Sequence, residues 1–322
     1  QVFKSDFHII GVNGTTSSLA RLTGSDEPEI GYEYVRIGST TSADRQGSIY
    51  MTADDGNAPF ILFQQPDSPI VVLTHGLSDS PFFVSAIADE LYDSGYTVIA
   101  PLLPGHGLKD ADAAMEDEQL AERWQAHLAE VVELALQSTD KVVLGGFSTG
   151  GALSVDYYLS NPDNVQGILL FSGALALNGN VESLSKLWGI KTLARLLDGD
   201  YQTGGPNPQK YPKVASFAGL ELMELIRGIR ERLEEGARVA VPVFVAHSQA
   251  DQTTPIEGVQ NLLTYVDADN TFYVIDGEYQ LCHAELVVNR LLLEKMDFDK
   301  SINIPSDIKY KISESLEAVN LI

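Results

Sequence analysis

The amino-acid sequence predicts an α/β fold with a doubly wound, mostly parallel sheet, and three features carry that expectation. From about residue 60, short β-rich runs alternate with helical patterns, the signature of successive βαβ units. The apolar run "KVVL" leads into "GGFSTGG" (145–151) and then into the helix-like "GALSVDYYLSNPD", giving strand, tight turn and helix in a row. The alternation breaks once, between "GILLF" and "AVPVFVAH", where 68 residues exceed what one crossover helix needs.

Taken in order, "IVVLTHG" (70–76) reads as a strand. "SPFFVSAIADELYDSG" follows as a helix, with Ser80 as N-cap, Pro81 at the first helical position and Gly95 at its end. "TVIAPLLPGHG" (97–107) is the next strand and its loop. A helix near 117–137 places Leu120, Trp124, Leu128, Val131 and Leu134 on one face, which makes Trp124 a core residue. "KVVLGG", "GILLF" (167–171), "AVPVFVAH" (240–247) and "TFYVI" (271–275) supply further strands, and "AELVVNRLLLEKM" closes the chain's pattern with a helix. Within the long interruption, "VESLSKLWGIKTLARLLDG" (181–199) carries apolar residues at 184, 187, 188, 193, 196 and 197. The Pro/Gly-rich "TGGPNPQKYPK" separates it from a second helix, "FAGLELMELIRGIRERLEE" (217–235). Residues 174 to about 215 therefore read as a small lid or cap, the alternative being a surface insertion without a role. Residues 1–45 form an N-terminal extension of unknown role, with 46–322 as the main domain.

Composition narrows the function classes. A chain of 322 residues with 44% hydrophobic content can bury a sizeable core, as one large domain or two ordinary ones. Its 45 acidic and 21 basic residues leave a formal charge of −24, which favours solubility and opposes contact with nucleic-acid phosphates or anionic lipid. No apolar stretch approaches a membrane span, and no repeat or low-complexity block is present. The chain starts at Gln1, so cytoplasmic and exported locations both stay open, the latter with a signal already removed. Cys282 is the only cysteine, which excludes an internal disulfide.

The glycines of "GGFSTGG" do not fit a phosphate loop: neither G-x-x-x-x-G-K-[ST] nor G-x-G-x-x-G is present. They fit G-x-S-x-G, as Gly146, Phe147, Ser148, Thr149 and Gly150, in the strand–turn–helix context of a nucleophile elbow. An ordinary tight turn would carry the same glycines. A serine nucleophile needs a base to take its proton and an acid to orient that base. Asp251 follows "AVPVFVAH" and His283 follows "TFYVI", so all three lie at strand ends in the order Ser, Asp, His. Asp276, seven residues before His283, is the rival acid. His75 in "THGL" and His106 in "PGHG" read as residues that shape loops near the site; His247 ends a strand, and His8 and His127 lack a motif. No paired Cys/His spacing indicates a metal. Acyl transfer also requires donors for an oxyanion, and the backbone N–H groups of Leu77 and Thr149 are the candidates.

With "THGLSDSP", "PLLPGHG", "GGFSTGG", "HSQADQTTP" and "CHAE" in sequence, the chain resembles an α/β-hydrolase of the carboxylesterase and monoacylglycerol-lipase type over roughly residues 65–295. The resemblance implies an α/β-hydrolase fold with a small helical cap inserted after the sixth strand. It also implies Ser148, Asp251 and His283 as a catalytic triad, and Leu77 and Thr149 as oxyanion donors. Leu77 stands where such relatives often have Phe, which alters pocket shape more than catalysis because the amide acts. The lipase loop "HGGG" is absent. The expected activity is that of a serine carboxylester hydrolase on short- to medium-chain acyl esters, with no cofactor and a small-molecule ester as substrate. A monoacylglycerol or lysophospholipid lipase is the alternative within the class, and an inert hydrolase-fold binding protein the alternative outside it. Trp188, on the cap helix, is expected either to line the acyl pocket or to hold the cap together.

Overall fold

The computed structural model describes residues 32–35, 48–51, 56–107, 114–184, 186, 200–202, 210–211, 213–289 and 292. Apart from the half-exposed edge strand Asn270–Ile275, the strands of its main sheet form where apolar residues run without interruption, because a strand covered on both faces needs side chains that leave water on both. The main-sheet strands are β3 (Phe60–Leu62), β4 (Ile70–Thr74), β5 (Thr97–Ala100), β6 (Val142–Phe147), β7 (Gly167–Phe171), β10 (Val243–Ser248) and β11 (Asn270–Ile275). Two small hairpins stand apart from it: β1 (Tyr32–Val35) with β2 (Ser48–Met51), and β8 (Asp200–Gln202) with β9 (Lys213–Ala215). The spatial order in the main sheet is β11-β10-β7-β6-β4-β5-β3, parallel throughout except for the edge strand β3. β3 and the β1–β2 hairpin are not among the strands expected from the sequence, because their runs are only three and four residues long.

Side chains alternate across this sheet and sort into two cores. Ile70, Val72, Val142, Leu144, Ile168, Leu170, Val243 and Val245 face one side. Val71, Leu73, Val143, Phe147, Leu169, Phe171, Phe244 and Ala246 face the other. The first side is covered by α2 (Leu120–Leu136), α3 (Thr149–Ser160) and α5 (Ser216–Glu234). The second is covered by the 3-10 turn Pro81–Val84, α1 (Ser85–Asp93) and Leu281, Leu286, Val287, Val288 and Leu292. Helices on both faces make the sheet doubly wound. The stripe expected on α2 is wholly inside, with Leu120, Trp124, Leu128, Val131 and Leu134 each at most 1% exposed. Burying each such side chain stabilises by roughly 1.5–3 kcal/mol. Trp124 also satisfies its one polar group, since Nε1–H donates to the Pro104 carbonyl at 3.0 Å.

Two local expectations change, and one holds. Pro81 does sit at the first helical position, but the helix opens with a 3-10 turn, and Ser80, although extended (φ −144°), donates its hydroxyl to Asn57 Oδ1 at 2.6 Å instead of capping. Gly95 terminates α1 as expected, at φ +100°, a conformation few side chains tolerate. The helix expected from Ala284 is represented in the described residues by the 3-10 turn His283–Leu286. Of the insertion, α4 (Gly179–Leu184) and the β8–β9 hairpin are described, whereas 187–199 lie outside the described residues.

Candidate active site

Ser148 stands at the junction of β6 and α3, at the carboxyl end of the sheet, where ligands of open α/β sheets bind. Its backbone is at φ +53°, ψ −114°, a strained conformation for a residue with a side chain. That strain is held by the surrounding backbone. The Ser148 N–H donates to Phe171 O at 3.1 Å, and its carbonyl accepts from Gly151 N–H at 3.0 Å and Ala174 N–H at 2.9 Å. The flanking glycines are obligatory for steric reasons. A β-carbon on Gly146 would lie 2.1 Å from the Gly150 carbonyl carbon, and one on Gly150 would lie 2.1 Å from the Thr74 carbonyl oxygen. Ser148 itself is 7% exposed.

His283 and Asp251 meet. His283 Nδ1–H donates to Asp251 Oδ2 at 2.6 Å, and the imidazole lies against Phe147, the residue before Ser148, with ring centroids 4.8 Å apart. Asp251 is itself fixed: Oδ1 accepts from the N–H groups of Thr253 at 2.9 Å and Thr254 at 3.0 Å, an Asx-turn. Burial alone would raise the Asp251 pKa. The hydrogen bond and charge of His283, with the Thr254 N–H and His247, outweigh that and bring it down to about 2, so the group is a carboxylate. The rival acid, Asp276, is exposed and accepts from Glu278 N–H at 2.9 Å, capping the turn that precedes His283.

One residue that the sequence reading passed over belongs to this group. Thr254 Oγ1 lies 3.0 Å from Asp251 Oδ2, 3.2 Å from His283 Nδ1 and 3.2 Å from the Ser172 carbonyl. Its hydroxyl thus joins the acid, the base and the end of β7. The Asp-x-x-Thr spacing of the Asx-turn in "DQTT" was the available signal. Beneath it, the fully buried His247 donates Nε2–H to Thr254 O at 2.7 Å, and burial holds this imidazole toward its neutral form.

The loop carrying Leu77 adjoins the serine: a β-carbon on Gly76 would come within 3.1 Å of Ser148 Cβ. Leu77 is half-buried against the core beneath α3, and Thr149 is the first residue of α3, fully buried. Two histidines hold the loop. His75 donates Nδ1–H to Gly76 O at 2.7 Å and accepts Leu103 N–H at Nε2 at 3.1 Å. His106 accepts Ser78 N–H at Nε2 at 3.0 Å and donates Nδ1–H to Pro104 O at 3.2 Å. Both roles require neutral rings, and burial, the largest influence on each, depresses their pKa values, that of His106 to about 4. Trp188 lies outside the described residues. Among the described residues no group of three or more His, Cys, Asp or Glu side chains could hold a metal ion, and no helix is long and apolar enough to cross a membrane.

Known proteins share this framework. Residues 65–286 match the family model for Hydrolase_4, described as serine aminopeptidase, S33. A thermostable monoacylglycerol lipase from Bacillus sp. (strain H-257) is 26% identical over 197 residues, 60% of this chain and 75% of the lipase. Among solved structures, that of the Paleococcus ferrophilus monoacylglycerol lipase superposes with a TM-score of 0.58 at 20% identity, covering 81% of this chain and 98% of that one. The structure described for LipS and LipT, two metagenome-derived lipolytic enzymes, gives 0.59 at 19% identity over 79% and 97%. At such identities the structural likeness establishes the fold, while the family match spans more than half of the chain. The chain therefore belongs to the serine aminopeptidase S33 family and is an α/β-hydrolase of the carboxylesterase and monoacylglycerol-lipase type.

Proposed function

We propose that the protein is a serine carboxylester hydrolase that cleaves short- to medium-chain acyl esters through an acyl-enzyme. The observation that carries the reading is the 2.6 Å bond between His283 Nδ1 and Asp251 Oδ2, made by an imidazole that lies against Phe147, the residue before the strained Ser148. In this mechanism Ser148 Oγ attacks the ester carbonyl while His283 Nε2 takes its proton. Asp251 fixes the ring with Nδ1 protonated, leaving Nε2 free to accept, and offsets the charge that the imidazolium gains. The tetrahedral oxyanion is met by the N–H groups of Leu77 and Thr149, the latter also at the positive end of a helix dipole. His283 then returns the proton to the departing alcohol. Water, deprotonated in turn by His283, attacks the acyl-serine and releases the acid.

Support for the oxyanion assignment comes from the contact of the Gly76–Leu77 loop with Ser148 and from the neutral His75 and His106 that fix that loop. A monoacylglycerol lipase is the second reading, favoured by the curated relative. A panel of p-nitrophenyl esters of rising acyl length, assayed beside a monoacylglycerol, tests both. We expect kcat/KM to rise with chain length by at most about 0.8 kcal/mol per methylene until the pocket fills. No turnover of any ester, or turnover undiminished in Ser148→Ala, would remove the proposal. A rate that rises sharply when the glyceride passes its solubility limit would move it to the lipase.

A further inference from the structure

We propose that Lys210, on the chain returning from the insertion, is a positioning residue of this site. It acts by neutralising Asp79, a carboxylate buried on the Leu77 loop beside Ser148. The inference rests on the ester-hydrolase reading above.

Asp79 is 1% exposed, and its Oδ1 lies 2.5 Å from Lys210 Nζ. The carboxylate and the nucleophile flank the same glycine: a β-carbon on Gly76 would lie 2.6 Å from Asp79 Oδ2 and 3.1 Å from Ser148 Cβ. A carboxylate at that depth is costly unless paired. Here it carries an additional penalty, because it has the same sign as the oxyanion that forms on the substrate next to Ser148, in a region where charges are weakly screened. Lys210 removes both costs with one charge. The ammonium lies 5.5 Å above the Phe83 ring and is largely buried, at 15% side-chain exposure. The next residue fastens the backbone, since the buried Tyr211 donates its N–H to Ser78 O at 2.9 Å, within the same loop. The insertion thus meets the loop twice, once through the backbone and once through a charge.

An electrostatic role makes the two partners unequal, which a purely mechanical tie does not. Lys210→Met leaves a bare carboxylate near the developing oxyanion and should lower kcat about tenfold or more with KM changed less than about twofold. Asp79→Asn leaves no negative charge and should keep most of kcat. The double variant, neutral at both positions, should return to the Asp79→Asn value, and Lys210→Arg should behave as wild type. Equal losses in the two single variants with no recovery in the double, or a Lys210→Met enzyme as fast as wild type, would overturn the proposal. If Lys210→Met does not fold, the comparison of Asp79→Asn with the double variant decides, because once the carboxylate is gone Lys210 must be dispensable. Failure of the ester-hydrolase reading shows separately, as a wild type inactive on p-nitrophenyl butyrate; an active wild type with an indifferent Lys210 removes this inference alone.

Discussion

The two halves of the site are held by different means. Ser148 is positioned by main chain: a strand, a helix, four backbone hydrogen bonds and two glycines that leave no room for a β-carbon. Asp251 and His283 sit on loops after β10 and β11, and side chains hold them: the Asx-turn, the Thr254 hydroxyl and the buried His247. The backbone-held half cannot be adjusted without moving the sheet, so substitutions of its glycines should act through folding. The side-chain-held half can lose one bond at a time, so its substitutions should act through rate.

Four changes should separate these behaviours. The largest effect belongs to Gly150→Ala, whose methyl would fall 2.1 Å from Thr74 O and 2.6 Å from Thr74 C, backbone atoms that cannot move aside. It should lose the native thermal transition and activity together, and a folded, active variant would show the elbow to be less constrained than it looks. Asp251→Asn should fold normally and lose about four orders of magnitude in kcat, through the wrong imidazole tautomer. Asp276→Asn, at an exposed turn cap, should cost little, and the reverse pattern would transfer the acid's role.

Acid probes the two neutral histidines under the Leu77 loop. His106 is depressed from 6.5 to about 4 in the fold, so the unfolded chain binds its proton first and stability is lost progressively as pH falls from 6.5 toward 4. That loss is of order 3 kcal/mol for His106, with His75 adding in the same direction. Thermal melts at pH 7, 5.5 and 4.5 should show it; a flat Tm would contradict the neutral assignment. Asp251 works oppositely: its contribution is present above the ordinary 3.8 and is lost only as pH falls through about 2, so it stays intact over this range. An effect smaller than that of Asp251→Asn but larger than that of Asp276→Asn is expected for Thr254→Val, which removes the hydroxyl that joins Asp251 to His283 while leaving the Asx-turn amides. It should lower kcat about tenfold with KM nearly unchanged, by analogy with one lost hydrogen bond to a charged group.

The same contrast explains what could be read from the sequence. Strand "GILLF" falls on Gly167–Phe171 to the residue, and "KVVLGG" within one residue of β6 at each end, because uninterrupted apolar runs bounded by turns have few alternatives in a parallel sheet. The serine was legible because local sterics demand glycine at 146 and 150 whatever surrounds them. His75 and His106 were legible as loop-shaping residues from "THGL" and "PGHG", whereas Thr254 and the Asp79–Lys210 pair were less visible, since each depends on which loops meet in space. Asp79 and Lys210 are separated by 131 residues, and no local pattern signals such a contact. Ser80 shows the complementary limit: an ideal N-cap by sequence, its hydroxyl is drawn to Asn57, a partner 23 residues away.

The central claim is that Ser148 is the nucleophile and that the His283–Asp251 pair activates it. Treating the protein with a fluorophosphonate and mapping the adduct by mass spectrometry tests that claim most directly. The account predicts one adduct on the peptide containing Ser148, formed rapidly in the wild type, slowed by orders of magnitude in His283→Ala and absent in Ser148→Ala. An adduct on any other residue, or labelling of Ser148 at an unchanged rate in the folded His283→Ala protein, would contradict it.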